Sequence, residues 1–224
     1  MDISDNITKI NEKIKSAAIQ AGRSHEEIKL IAVSKKKSVD LITAAFNFGL
    51  HNFGENYLQE SIEKISSINS KDIDWHFIGN IQSRKSSQIA QHFSWVHTID
   101  RAKIVNALDA AGKNLKVLIQ INVSGENSKS GIGEDELMPL AEIVSESKYL
   151  ELKGLMALPS PAVSGKINEK EYEKMNMLSD KLKNYYSSAN ELSLGTSQDF
   201  ELGIKHGSTT VSYTHLRAHE TQTH

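Results

Sequence analysis

The chain has 224 residues, 38% of them hydrophobic, enough to bury one core within a single domain. Its 26 basic and 28 acidic side chains nearly cancel, so no global field draws it to nucleic acid or to an anionic membrane, and a small molecule is the expected partner. The absence of cysteine excludes a disulfide framework, thiolate metal sites and thiol nucleophiles, while an N-terminus without a signal pattern and the lack of a bilayer-length apolar window predict a cytoplasmic protein.

Ile7, Ile10, Ile14 and Ala17 share one helical face ahead of Gly22, so the chain opens with an amphipathic helix. Short apolar or β-branched runs then recur with helical patterns between them: Ile28 to Ser34, Asn52 to Glu55, Trp75 to Gly79, Trp95 to Ile99 and Lys116 to Val123. Leu152 to Leu158, Glu191 to Gly195 and a weak run at Thr209 to Val211 complete the series. Ser38 to Phe48 reads as a helix ending at Gly49, Arg101 to Ala111 as one ending at Gly112, and the stretch from Glu169 to Tyr186 as a long helix. The segment from Pro159 to Gly165 reads as a loop.

Eight strands alternating with helices predict an α/β fold, either a closed TIM-type (β/α)8 barrel or a doubly wound open sheet. Polar and glycine-rich residues follow the strands at Ser34-Lys35-Lys36, Gly54-Glu55-Asn56, Gly79-Asn80, Asn122 to Gly125 and Gly195-Thr196-Ser197, where such folds carry their chemistry. Lys35 stands out because it follows the first strand. An amine at that strand end can form an imine, and Lys36 and Lys37 beside it would disfavour its ammonium form. The bland alternative is three solvated lysines at a strand end.

Six ordered segments then carry a resemblance. Ala32-Val33-Ser34-Lys35, Phe53 to Glu60, Trp75 to Gln82, Gln120 to Ser124 with Glu126, Lys129 and Gly131, Gly154 to Pro159, and Leu192 to Phe200 are similar to the signature segments of the pyridoxal phosphate homeostasis protein family. The resemblance implies a barrel like the N-terminal domain of alanine racemase, with pyridoxal 5′-phosphate as cofactor, held as an imine on Lys35, and no second domain. It further implies a role in intracellular vitamin B6 and amino-acid balance rather than a defined reaction. Asn56 is then placed to hydrogen-bond near the cofactor ring, though a loop or N-cap asparagine reads equally well. His76 is assigned as a cofactor contact or a core histidine satisfied by a neighbour, and Ser193, Gly195 and Ser197 as a phosphate cradle or an ordinary glycine turn. Met156 and Trp75 are read as packing residues.

The ending departs from this pattern. After Gly207 to Val211 the family continues with an arginine facing the pyridine nitrogen, then a glycine and a threonine that join the phosphate cradle, whereas this chain reads Ser212-Tyr213-Thr214-His215 and onward to His224. None of the three can be carried over. The domain is therefore drawn at residues 1–211, with 212–224 as an atypical tail suggestive of a shifted reading frame or a sequencing adaptor, and with the last strand left incomplete. His219 and His224 are five residues apart, which at the helical period does not make a metal pair. A cofactor carrier or regulator is the leading reading. A pyridoxal phosphate-dependent amino-acid racemase is the alternative, since one lysine supplies only one of the two proton-transfer groups racemisation needs.

Overall fold

A computed structural model describes residues 3–126, 128–162 and 167–214. The helix α1 (Ile3–Gln20) buries Ile7, Ile10, Ile14, Ala17 and Ala18 on its inner stripe and packs against the first and last helices that surround the barrel. Behind it, Arg23 donates to the carbonyls of Ile204 and Ser208 at 3.0 and 2.7 Å, tying the start of the chain to its end.

Strands and helices then alternate: β1 (Lys29–Val33), α2 (Val39–Asn47), β2 (Asn52–Glu55), α3 (Leu58–Ile68), β3 (Asp74–Phe77), α4 (Ser86–His92), β4 (Trp95–Ile99) and α5 (Ala102–Asp109). The second half repeats the scheme with β5 (Leu115–Gln120), α6 (Leu137–Ser145), β6 (Leu150–Ala157), α7 (Glu169–Tyr185), β7 (Glu191–Leu194), α8 (Phe200–Lys205) and β8 (Thr210–Tyr213). All neighbouring strands pair in parallel, and β8 pairs with β1, so the sheet is closed and the open-sheet alternative falls.

The expectation of an incomplete last strand is corrected here. The pairs Ile31 with Ser212 and Ala32 with Tyr213 carry β8 two residues past Val211, because ladder hydrogen bonds come from the backbone and need no apolar pattern in the strand that receives them. The remainder of the expected tail, residues 215–224, lies outside the described residues.

Alternation along each strand divides the molecule into two layers. Ala32, Phe53, Trp75, Val96, Val117, Ile119, Leu155 and Leu192 point outward and merge with the buried faces of the helices into the main core. Trp75 packs on Phe53 there, as a packing residue should. The inner face has its own small apolar plug of Trp95, Leu118 and Met156. At the plug, Lys29 and Lys116 set their ammonium groups 4.2 and 5.2 Å from the Trp95 ring centroid. One glycine is required for closure: Gly154 has φ +146°, and a Cβ there would lie 1.8 Å from the Glu191 carbonyl oxygen of the adjacent strand.

Candidate active site at the barrel mouth

The period-two alternation that turns Ile31 and Val33 inward also turns Lys35 inward, two residues past the end of β1. These three residues line a cavity of about 150 Å³ at the carboxyl ends of the strands, the face on which barrels of this type place their chemistry. Ile31, Val33, Ile78, Met156 and Leu158 give the cavity an apolar wall. Polar groups complete the rim: Asn56 after β2, Ser193 and Gly195 on and after β7, Thr196, and Ser212 and Thr214 on and after β8. Asn56, Ile78 and Leu158 are shared with a wider neighbouring space of about 610 Å³ towards Gln120, Asn122 and Lys129.

Lys35 is half-buried, and among the described residues no side chain or carbonyl accepts from its amine. Its neighbour Lys36 is exposed and has φ +58°, so the chain turns sharply after the strand and the two side chains part. The Oδ1 of Asn56 is buried without a hydrogen-bond partner. Gly195 has φ +105°, and a Cβ there would lie 2.8 Å from Phe200 Cα, so only glycine lets the chain turn against the start of α8.

The structure brings Lys35, Asn56, Ser193 and Gly195 to one cavity, and it sets the other two expected residues apart. Ser197 lies behind the rim, where its hydroxyl accepts from the Thr214 amide at 3.0 Å. His76 is buried below the cavity: it stacks on Trp95 at 5.3 Å, meets Asn52 Oδ1 at 3.0 Å and shares a hydrogen bond with His97 at 2.9 Å. It is thus placed as a core histidine satisfied by neighbours, and the ring that lines the cavity is His97. Sequence reading passed over His97, although the alternation Trp95-Val96-His97 marks it as inward-facing.

These groups form one hydrogen-bonded chain across the barrel, from Asn52 through His76 and His97 to Ser193, whose Oγ lies 3.2 Å from His97 Nδ1. Burial, with repulsion from Lys29, holds the His97 imidazole down to about 3, and burial with repulsion from His97 and the two barrel lysines holds His76 well below its ordinary value. Both rings are therefore neutral near pH 7, each with one N–H. With the Asn52 oxygen turned to His76, every donor in the chain points the same way: His76 to Asn52, His97 to His76, and Ser193 to His97. In this sense Ser193 offers the cavity lone pairs rather than a proton.

Around β7, the Thr196 amide and hydroxyl both donate to Asp199 Oδ1, at 2.6 and 2.8 Å. The other Asp199 oxygen accepts from the Tyr172 hydroxyl. Loss of that phenolic proton is strongly opposed by burial and by the hydrogen bond and charge of Asp199. Asp199 therefore shapes the turn after β7 rather than opening into the cavity.

A model of the alanine racemase N-terminal domain matches residues 6–218. The pyridoxal phosphate homeostasis protein of Escherichia coli K12 is 45% identical over 217 residues, covering 94% of this chain and 93% of that one. Its counterpart in Haemophilus influenzae is 41% identical over 219 residues, covering 94% and 92%. The chain belongs to the pyridoxal phosphate homeostasis protein family. Among solved structures, PipY of Synechococcus elongatus PCC7942 with pyridoxal phosphate bound superposes with a TM-score of 0.77 at 25% identity, covering 92% of this chain and 98% of that one. The alanine racemase of Corynebacterium glutamicum gives 0.70 at 15% identity, covering 92% of this chain and 60% of the racemase, which places the shared fold within part of that larger protein.

Against the homeostasis family pattern, the departure at the end of the chain falls inside the cavity. Ser212, where the resemblance leads one to expect an arginine, lines it, and its hydroxyl donates to the Gly195 carbonyl at 3.4 Å.

Proposed function

We propose that this chain binds pyridoxal 5′-phosphate in the cavity at the barrel mouth, joined as an imine to Lys35, and serves intracellular vitamin B6 and amino-acid balance as a carrier or regulator. One observation carries the reading: a half-buried lysine amine, free of any acceptor among the described residues, points into a cavity at a strand end. Condensation of Lys35 Nζ with the cofactor aldehyde forms the C=N bond and releases one water. The cavity suits the rest of the molecule. Ile31, Val33, Ile78, Met156 and Leu158 offer apolar walls for an aromatic ring, Asn56 brings an unsatisfied amide oxygen, and the hydroxyls of Ser193, Thr196 and Ser212 lie at the rim.

The carrier reading is preferred over a racemase because Lys35 and His97 are the titratable side chains among the described cavity-lining residues. His97 is held neutral in its hydrogen-bonded chain, so it is a poor partner for proton transfer on the face opposite Lys35. Absorbance decides the matter. Titration of the folded protein with pyridoxal phosphate gives a saturable imine band that Lys35→Ala abolishes, and a band retained in the variant would move the attachment elsewhere. Solvent-deuterium incorporation at the α-carbon of added amino acids, no faster than with free cofactor, separates carrier from racemase.

A further inference from the structure

We propose that Glu60 and Lys64, one turn apart on α3, are positioning residues that fix the backbone of Lys35 and so aim its amine; the proposal rests on the reading of Lys35 as the cofactor lysine. The two peptide groups flanking the Lys35 Cα are both held from α3. On one side, Lys64 Nζ donates to the Ser34 carbonyl at 2.7 Å. On the other, Glu60 Oε1 accepts from the Lys36 amide at 2.5 Å. Lys64 Nζ and Glu60 Oε1 are themselves 2.5 Å apart, which closes a ring of contacts around a single residue.

The same ammonium is anchored to the barrel. Lys64 Nζ lies 2.9 Å from Glu55 Oε1 on β2, and that oxygen also accepts from the Ser34 hydroxyl at 2.6 Å. Glu55 is fully buried and the Lys64 side chain is only 7% exposed. A buried ion pair adds little stability over apolar side chains of the same volume, so its distinctive product is geometry. That geometry is needed here. Lys36 adopts the left-handed conformation, φ +58°, which costs energy for a residue with a Cβ, and the bond from its amide to Glu60 holds it there. Rotation about either Lys35 backbone bond would break one of the two contacts. A long, flexible side chain can reach one point reproducibly only if its Cα is fixed, and α3 fixes it.

The test separates aiming of the amine from general support of the cavity. Wild type, Glu60→Ala and Lys64→Met are titrated with pyridoxal phosphate, read by imine absorbance, and with pyridoxine 5′-phosphate, which has an alcohol in place of the aldehyde and cannot condense with Lys35. The expected result is roughly tenfold weaker binding of the aldehyde in each variant, with the alcohol's affinity changed by less than about twofold. Equal affinity for the aldehyde in wild type and variants overturns the proposal, and so does parallel weakening of both ligands, which would mark a purely structural pair. If Lys64→Met does not fold, Glu60→Ala decides alone, since the Glu60 side chain is 30% exposed. Wild-type protein that gains no reducible adduct on Lys35 overturns the underlying reading, whereas adduct formed equally by all three proteins overturns the clamp alone.

Discussion

Ser193 Oγ on β7 lies 3.2 Å from His97 Nδ1 on β4, so two residues 96 positions apart in the chain meet across the barrel axis beside Lys35. The contact couples the cavity to a buried pair of neutral imidazoles whose donor direction is set as a unit. A phosphate near Ser193 needs a donor, and the hydroxyl can donate to it while the His97 contact is kept only if the chain reverses: the Asn52 amide turns, His76 donates to His97, and His97 Nδ1 carries the proton.

Addition of pyridoxal phosphate therefore shifts His97 from the Nε2–H to the Nδ1–H tautomer. Nitrogen-15 shifts of selectively labelled histidine report this directly. A bound cofactor with the His97 tautomer unchanged would show that Ser193 does not donate to the phosphate while keeping its contact to His97.

Ser212→Arg should tighten binding. Ser212 lines the cavity where the resemblance leads one to expect an arginine, and on the proposed reading a guanidinium there would bring a charge-assisted donor to the ring nitrogen. The expected gain is about 1.5 to 3 kcal/mol, roughly tenfold or more in the dissociation constant. An affinity equal to or weaker than wild type would mean that the cavity admits the ring in another orientation.

Gly195→Ala should cost both stability and binding. The new Cβ would press on Phe200 Cα at 2.8 Å in a backbone of φ +105°, so the turn after β7 must move and carry the rim with it. About 1 to 3 kcal/mol of stability is at stake. Denaturant unfolding and a cofactor titration measure the two losses, and an unchanged protein would argue that the turn is soft.

Acid should destabilise the protein through its buried imidazoles. In the unfolded chain His97 takes up a proton near 6.5, while in the folded protein burial first, then repulsion from Lys29, holds it down to about 3. Its contribution is complete above 6.5 and is lost as pH falls from there towards 3. His76 acts in the same direction. Glu55 opposes them, because burial raises its carboxyl pKa and the folded form takes up that proton more readily. Comparison of wild type with His97→Gln isolates the imidazole: the melting temperature of the variant should fall less steeply between pH of about 6.5 and about 4. Parallel slopes would contradict the account.

The inward direction of Lys35 was legible because alternation along Lys29, Ile31 and Val33 needs only local sequence. Depth within the barrel was not. His76 and His97 both face inward from adjacent strands, but strand tilt and stagger set one beneath the cavity and the other on its wall, and no local pattern records stagger. The contacts of Lys64 were equally hidden: local sequence shows Glu60 and Lys64 four apart on one helix, but not that the fold brings Glu55 of β2 to the same ammonium. The closing strand was underestimated at Ser212 and Tyr213 because β1 supplies their pairing.

The proposed cofactor linkage depends on one nitrogen, the Nζ of Lys35. Borohydride reduction of the protein with bound pyridoxal phosphate, followed by proteolysis and peptide mass spectrometry, should place the phosphopyridoxyl group on Lys35 at one equivalent per chain. Modification spread over the exposed lysines, or concentrated on any residue other than Lys35 in folded protein, would contradict it.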